Sequence, residues 1–311
     1  MQTIYSAKLA RRYVGSKPQW VRERWDTPDG DFVDVDWHVP TVDLLEDAPL
    51  LVLFHGLEGS SSSHYAQAFA QEAQLRGWHI AVPHFRGCSG EINWAPRAYH
   101  SGDFEEVDWM LRRFRAQHAG PIFAAGVSLG GNALMRWAGE MGQTAPQIVN
   151  GAASICSPID LTASGKAIDT GFNKAVYARM FLATMKPRAM QKLQQYPSLF
   201  DPQELMAADT LYAFDDVFTA PLHGFRGTDD YWDKASAKPG LSRIQVPALV
   251  LNARNDPFIP DSCLPTQDQV SDHVTLWQPE QGGHVGFASG RFPADLQEMP
   301  WAVMEWMTQH G

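Results

Sequence analysis

Short runs of uninterrupted apolar residues, each closed by a turn and followed by helical periodicity, constrain this chain more than any other feature. Leu50 to Phe54 runs into His55-Gly56, His79 to Pro83 precedes Arg86-Gly87, and Ile122 to Ala125 meets Gly126. A strand without a polar face must be covered on both sides, and strands that alternate with helices pair in parallel. The helical partners are Tyr65 to Arg76, Asp103 to His118 with Phe104, Val107, Met110, Leu111 and Phe114 on one face, and Leu129 to Met141. Ile148 to Ile155, Ala248 to Asn252 and His273 to Gln278 read as further strands, and Ala294 to Gln309 as a closing amphipathic helix. Ahead of them, Asp31 to Val39 alternates apolar and polar residues in an edge-strand pattern, which predicts an antiparallel start. The fold class is therefore α/β, a mostly parallel central sheet flanked by helices.

The alternation stops between about Ser157 and Lys238, where Phe, Tyr, Met and Leu recur at helical spacing between prolines. This segment reads as an inserted helical cap. It divides the chain into a first core part (1–156), a cap (157–240) and a second core part (241–311). With 311 residues, 44% hydrophobic and 19% charged, the chain can bury a sizeable core and has no disorder signature. A formal charge of −10 without clustered Lys and Arg argues against a nucleic-acid surface.

Cys88, Cys156 and Cys263 have no CxxC spacing, which suits a reducing compartment. No stretch has the length of a signal peptide's apolar run or of a bilayer span, so a cytoplasmic protein with no integral membrane segment is expected. HExxH, P-loop and GxGxxG motifs are absent, so no metal or cofactor is expected.

The chemistry concentrates at Gly126-Val127-Ser128-Leu129-Gly130-Gly131, a GxSxG sequence between an apolar strand and a helix. Such a turn strains the backbone and leaves the serine hydroxyl exposed above the sheet, while the helix that follows directs its first amides at a developing oxyanion. Ser128 is the expected nucleophile. A second amide is expected from His55-Gly56-Leu57-Glu58-Gly59, the HGxxG form that ends an earlier strand. The backbone N–H groups of Leu57 and Leu129 are the candidate oxyanion-hole donors.

A serine hydroxyl is a weak nucleophile, so a histidine must take its proton and a carboxylate must orient that histidine. On this topology the order along the chain is Ser, acid, His. His284, in the glycine-rich loop Gly282-Gly283-His284-Val285-Gly286-Phe287 after the last strand, is the candidate base. His55, His64, His84, His100 and His223 precede the acid and are expected to be structural or pocket-lining. Asp256, in Asn255-Asp256-Pro257-Phe258 at the carboxyl end of its strand, is the candidate acid. Asp160, just after the Ile148 to Ile155 strand, is the rival, and it reads as the start of the cap. Asp31, Asp34 and Asp36 alternate along a strand and read as a solvated face.

Taken together, these motifs resemble the YheT-type group of α/β hydrolases over nearly the whole chain. The resemblance rests on His55 to Gly59, Phe85-Arg86-Gly87-Cys88-Ser89-Gly90-Glu91, Pro96-Arg97-Ala98-Tyr99-His100-Ser101-Gly102 and Gly126 to Gly131. It continues through Phe214-Asp215-Asp216, Thr219 to Phe225, Asn255 to Phe258 and Gly282 to Phe287. It implies an α/β-hydrolase fold and esterase or acylglycerol-lipase activity on acyl esters, using Ser128, Asp256 and His284. The partner expected is therefore a small-molecule acyl ester. Acyl transfer and thioester hydrolysis use the same triad, and a non-catalytic binding module is the reading from another class. Two stretches of the pattern, Arg86 to Glu91 and Arg97 to Gly102, carry no evident chemistry. An Arg86–Glu91 ion pair bracing the pocket rim is expected of the first. Large apolar cap residues, Phe181 and Met185 among them, are expected to line an acyl pocket for uncharged esters of small to medium length, including monoacylglycerols.

Overall fold

Along the first apolar run the side chains alternate in direction. Leu50, Val52 and Phe54 enter a core on one side of the sheet, and Leu51 and Leu53 enter a second core on the other. Both faces of the strand are dry, which is why the run contains no polar residue. A computed structural model describes residues 10–13, 15–290 and 294–311 of the chain.

Among the described residues the sheet has eight strands: β1 (Trp20–Asp26), β2 (Phe32–His38), β3 (Leu50–Phe54), β4 (His79–Pro83), β5 (Ile122–Val127), β6 (Gly151–Ile155), β7 (Ala248–Leu251) and β8 (Val274–Trp277). Their spatial order is β1-β2-β4-β3-β5-β6-β7-β8. The pairs β1–β2 and β2–β4 are antiparallel, and the others are parallel. Helix α1 (His64–Arg76) and the last helix (Glu298–His310) cover one face through Phe69, Ala73, Val303 and Met307. Helices α2 (Phe104–Gln117) and α3 (Leu129–Met141) cover the other through Val107, Leu111, Leu134 and Trp137.

Some elements differ from the sequence expectation. The edge strand is β1, hidden in a mixed N-terminal arm, and β2 lies inside it. The strand expected from Ile148 starts at Gly151, because a 3₁₀ turn (Gly142–Gln147) and Asn150, whose side chain accepts from the Ile122 amide at 3.1 Å, occupy its approach. The closing helix begins at Glu298, since Ala294 and Asp295 are engaged in backbone hydrogen bonds with Arg11 and Ser289.

The carboxylates of Asp31, Asp34 and Asp36 do not form a solvated face; their residues are 1%, 1% and 4% exposed. The alternation is real, but β1 supplies cations that cover the polar side. Arg24 pairs with Asp34 and Arg22 with Asp36, while His84 and Ser61 also reach Asp36. Nor do Arg86 and Glu91 pair. Arg86 is buried against Glu106, Asp31 and Asp29, and Glu91 meets Arg24 at 2.7 Å. The Arg86, Glu106 and Asp31 side chains are all buried, whereas that of Glu91 is 54% exposed, and a buried guanidinium requires charged partners beside it.

Between β6 and β7 the chain builds helices α4 (Leu161–Ile168), α5 (Arg179–Gln195), α6 (Pro202–Ala207) and α7 (Thr228–Ala235), joined by shorter helical turns; the last helix is α8. Their Leu182, Leu205, Phe214 and Trp232 share a third core with residues that follow β7, Phe258 and Ile259 among them.

Candidate active site

Ser128 stands between β5 and α3 at φ 53° and ψ −120°, a conformation that L side chains rarely adopt. The neighbouring glycines are explained by contact. A Cβ on Gly126 would lie 2.5 Å from the Gly130 carbonyl oxygen, and one on Gly130 would lie 2.4 Å from that of His55. The turn is held from below by the Ser128 amide, which donates to the Ile155 carbonyl at 2.8 Å.

The structure brings the three sequence candidates together. His284 Nε2 lies 3.0 Å from Ser128 Oγ, and His284 Nδ1 lies 2.8 Å from Asp256 Oδ2. The Asp256 side chain is fully buried and that of His284 is 12% exposed. The other oxygen of Asp256 accepts from the Phe258 amide at 2.8 Å, which helps to fix the carboxylate's orientation. Asp160, the rival acid, instead caps α4 by accepting from the Ala163 amide at 3.0 Å.

Leu57 and Leu129 line the same cavity as Ser128, and among the described residues nothing accepts a hydrogen bond from either amide. A Cβ on Gly56 would sit 3.2 Å from Ser128 Cβ, so the Leu57 loop presses directly on the elbow. This arrangement can take a proton from a hydroxyl, hold the resulting imidazolium against a carboxylate, and offer free amides to an adjacent oxyanion.

Several neighbours were given no role by the sequence. The Cys156 sulfur, at the end of β6, accepts from the Val285 amide at 3.3 Å and faces the Gly283 carbonyl at 3.6 Å, so it braces the His284 loop on both sides. Burial, with Asp256 nearby, holds this thiol well above its ordinary range, so it serves as an apolar strut and not as a nucleophile. The Asn255 side chain accepts from the Gly283 amide at 2.8 Å. The Phe258 ring lies 4.3 Å from that of His284.

The remaining candidate histidines are not brought to Ser128. Burial pushes His55 down to about 3, with His84 adding to the effect, and pushes His64 and His100 down to about 4. All three are neutral near pH 7. The His55 ring accepts from the Phe85 amide at 3.1 Å, and His223 lies between the carbonyls of Thr219 and Ala98.

The site opens into a cavity that Ser128, Leu57, Leu129 and His284 help to line. Its lining combines polar residues, Glu58, Tyr99, Arg188 and Lys192, with apolar ones, Leu161, Ile168, Phe181, Met185, Leu211, Phe214 and Trp232. Of the large apolar residues in the helical insertion, Phe172, Met180, Met206 and Tyr212 are exposed, and Tyr177, Leu182 and Leu205 fill its own core. The lining also includes Asp215, which burial pushes up to about 6 although Thr219 and Trp232 donate to it. No group of His, Cys, Asp and Glu able to hold a metal ion occurs among the described residues, and none of their helices is long and apolar enough to cross a membrane.

Comparison with known proteins bears on the family. The family described as alpha/beta hydrolase fold matches residues 49–290. YheT of Escherichia coli (strain K12), named for an inferred esterase activity, is 38% identical over 307 residues, covering 97% of this chain and 88% of that protein. The mouse (Mus musculus) protein Phospholipase ABHD3 is 27% identical over 315 residues, covering 97% of this chain and 76% of its own. Among solved structures, the ferulic-acid complex of Est1E from Butyrivibrio proteoclasticus superposes with a TM-score of 0.58 at 15% identity, covering 94% of this chain and 98% of that one.

Proposed function

From the premise that the chain belongs to the α/β-hydrolase family, we propose that it hydrolyses carboxylic esters through an acyl-enzyme on Ser128. The observation that carries this reading is the unbroken hydrogen-bonded line from Ser128 Oγ through both ring nitrogens of His284 to Asp256. Ser128 Oγ attacks the ester carbonyl as His284 Nε2 takes its proton. Asp256 keeps Nδ1 protonated and stabilises the imidazolium. The tetrahedral oxyanion is held by the amides of Leu57 and Leu129. Collapse expels the alcohol, which receives the proton from His284, and water then repeats the sequence to release the acid.

The helical insertion, residues 157–240, acts as a cap that roofs the pocket. Its apolar lining suits the acyl chain of an uncharged ester of small to medium length, monoacylglycerols included, because a flexible chain is best matched by adaptable Met and aromatic surfaces. The esterase and phospholipase names of the relatives support ester substrates in general.

The test is labelling by a fluorophosphonate, followed by a panel of p-nitrophenyl esters of rising acyl length with thioesters and alcohol acceptors alongside. Wild-type protein should label and turn over, and Ser128→Ala should lose both, leaving only weak residual catalysis. Labelling that persists in Ser128→Ala with full turnover would remove Ser128 as nucleophile. Transfer to alcohols in preference to water would make the protein an acyltransferase with the same triad.

A further inference from the structure

The loop after β3 disposes of its amides one by one. Gly56 N–H donates to the Tyr65 hydroxyl at 2.8 Å, Glu58 N–H to the Tyr99 hydroxyl at 3.1 Å, and Gly59 N–H to the Gly56 carbonyl at 2.9 Å. Leu57 N–H, between the two tyrosine-bound amides, has no acceptor among the described residues. Glu58 also sits at φ 57°, a strained value for a residue with a side chain, so something must hold it there. The Tyr99 hydroxyl does so twice, accepting from the Glu58 amide and donating to Glu58 Oε1 at 2.8 Å.

Both tyrosines are rigidly mounted. Tyr65 is buried in the first turn of α1, and its oxygen would lie 2.5 Å from a Cβ on Gly59, so the loop is packed tightly against it. The Tyr99 ring stacks on Phe85 at 5.4 Å and 12°, and Phe85 stacks in turn on Phe54 of β3.

We propose that Tyr65 and Tyr99 are positioning residues that clamp the peptide units on either side of Leu57, so that its N–H alone is aimed at the reacting carbonyl oxygen. The inference rests on the ester-hydrolase reading above. It gives Tyr99, in a stretch of the sequence pattern without evident chemistry, a mechanical role. A preorganised amide is worth more than a mobile one because it needs no reorganisation as charge develops. Loosening it should therefore weaken the transition state and spare substrate binding.

The experiment compares wild type with Tyr65→Phe, Tyr99→Phe and the double variant. It reads kcat and KM over several esters, the affinity of a trifluoromethyl ketone that forms an anionic hemiketal, and Tm. Tyr65 does not line the pocket, so its variant cannot act by direct substrate contact. The expected result is a fall in kcat of about 10- to 100-fold, below the loss seen when an oxyanion donor is deleted outright. KM should hold, the ketone should weaken by the same factor, and the loss should be equal for every ester. Unchanged kcat in variants of a Ser128-dependent wild type would overturn the clamp and leave the hydrolase reading intact, as would a lower Tm alone or a loss that varies with the ester. If Tyr65→Phe does not fold, Tyr99→Phe carries the same readouts. A wild type without ester turnover would instead overturn the underlying function and the clamp with it.

Discussion

Asp160 and Asp256 follow neighbouring strands, and the difference between them is one of reach. Asp256 touches the histidine ring at 2.8 Å, whereas Asp160 is spent on the first turn of α4. Asp256→Asn should therefore lower kcat by about 10⁴-fold, because an amide leaves the imidazole in the wrong tautomer. Asp160→Asn keeps a capping oxygen and should change kcat little. Steady-state kinetics of both variants at one pH decide the matter, and greater damage at Asp160 would transfer the acid's role. The strand-turn-helix context made Ser128 legible in the sequence, and chain order with the turn after a strand did the same for Asp256 and His284. The roles of Cys156, Phe258 and Tyr65 were not legible, because a thiol, a ring and a phenol acquire their roles only from what folds against them.

At the scale of elements, the antiparallel start stores charge. Burial pushes the Asp34 and Asp36 carboxyls up, but hydrogen bonds outweigh it and hold both below the usual range: Arg24 and Ser89 on Asp34, His84, Arg22 and Ser61 on Asp36. A carboxylate whose pKa is depressed by folding stabilises the protein above its unfolded pKa, and that contribution is lost as pH falls through the folded value. Denaturant midpoints should thus decline as pH drops below about 4. Asp34→Asn should flatten that decline, and a slope identical to wild type would separate these pairs from acid stability. A larger effect is expected at Arg86, which is only 4% exposed and holds Glu106 and Asp31 together. Burial, with Asp103 beside it, pushes Glu106 up to about 7 even though Arg86 pulls it back. Arg86→Met strands those carboxyls and should lower unfolding free energy by about 3–5 kcal/mol. Urea melts measure it, and a loss under 1 kcal/mol would contradict the assignment, that being the level of a surface pair.

Across the whole molecule, the helical insertion divides its apolar residues between its own core and the cavity wall over Ser128. Phe181 and Met185 lie on that wall, and each buried methylene of an acyl chain contributes roughly 0.8 kcal/mol. Phe181→Ala and Met185→Ala should therefore flatten the rise of kcat/KM with acyl length, with little change for acetyl esters. Unchanged length profiles in both variants would take the insertion out of substrate selection. By itself the sequence determined the layered α/β class, the position of the insertion, the elbow at Ser128 and the order of its partners. These depend on local chemistry: apolar periodicity, glycines at a crowded turn, and residues at strand ends. Only the tertiary structure decided that Arg86 turns to Glu106 and not to Glu91, that the aspartates of β2 are buried under arginines from β1, and that two tyrosines flank the Leu57 amide. Pairing of buried polar groups depends on which surfaces lose water together, and that is a property of packing between segments far apart in the chain, which no single segment encodes.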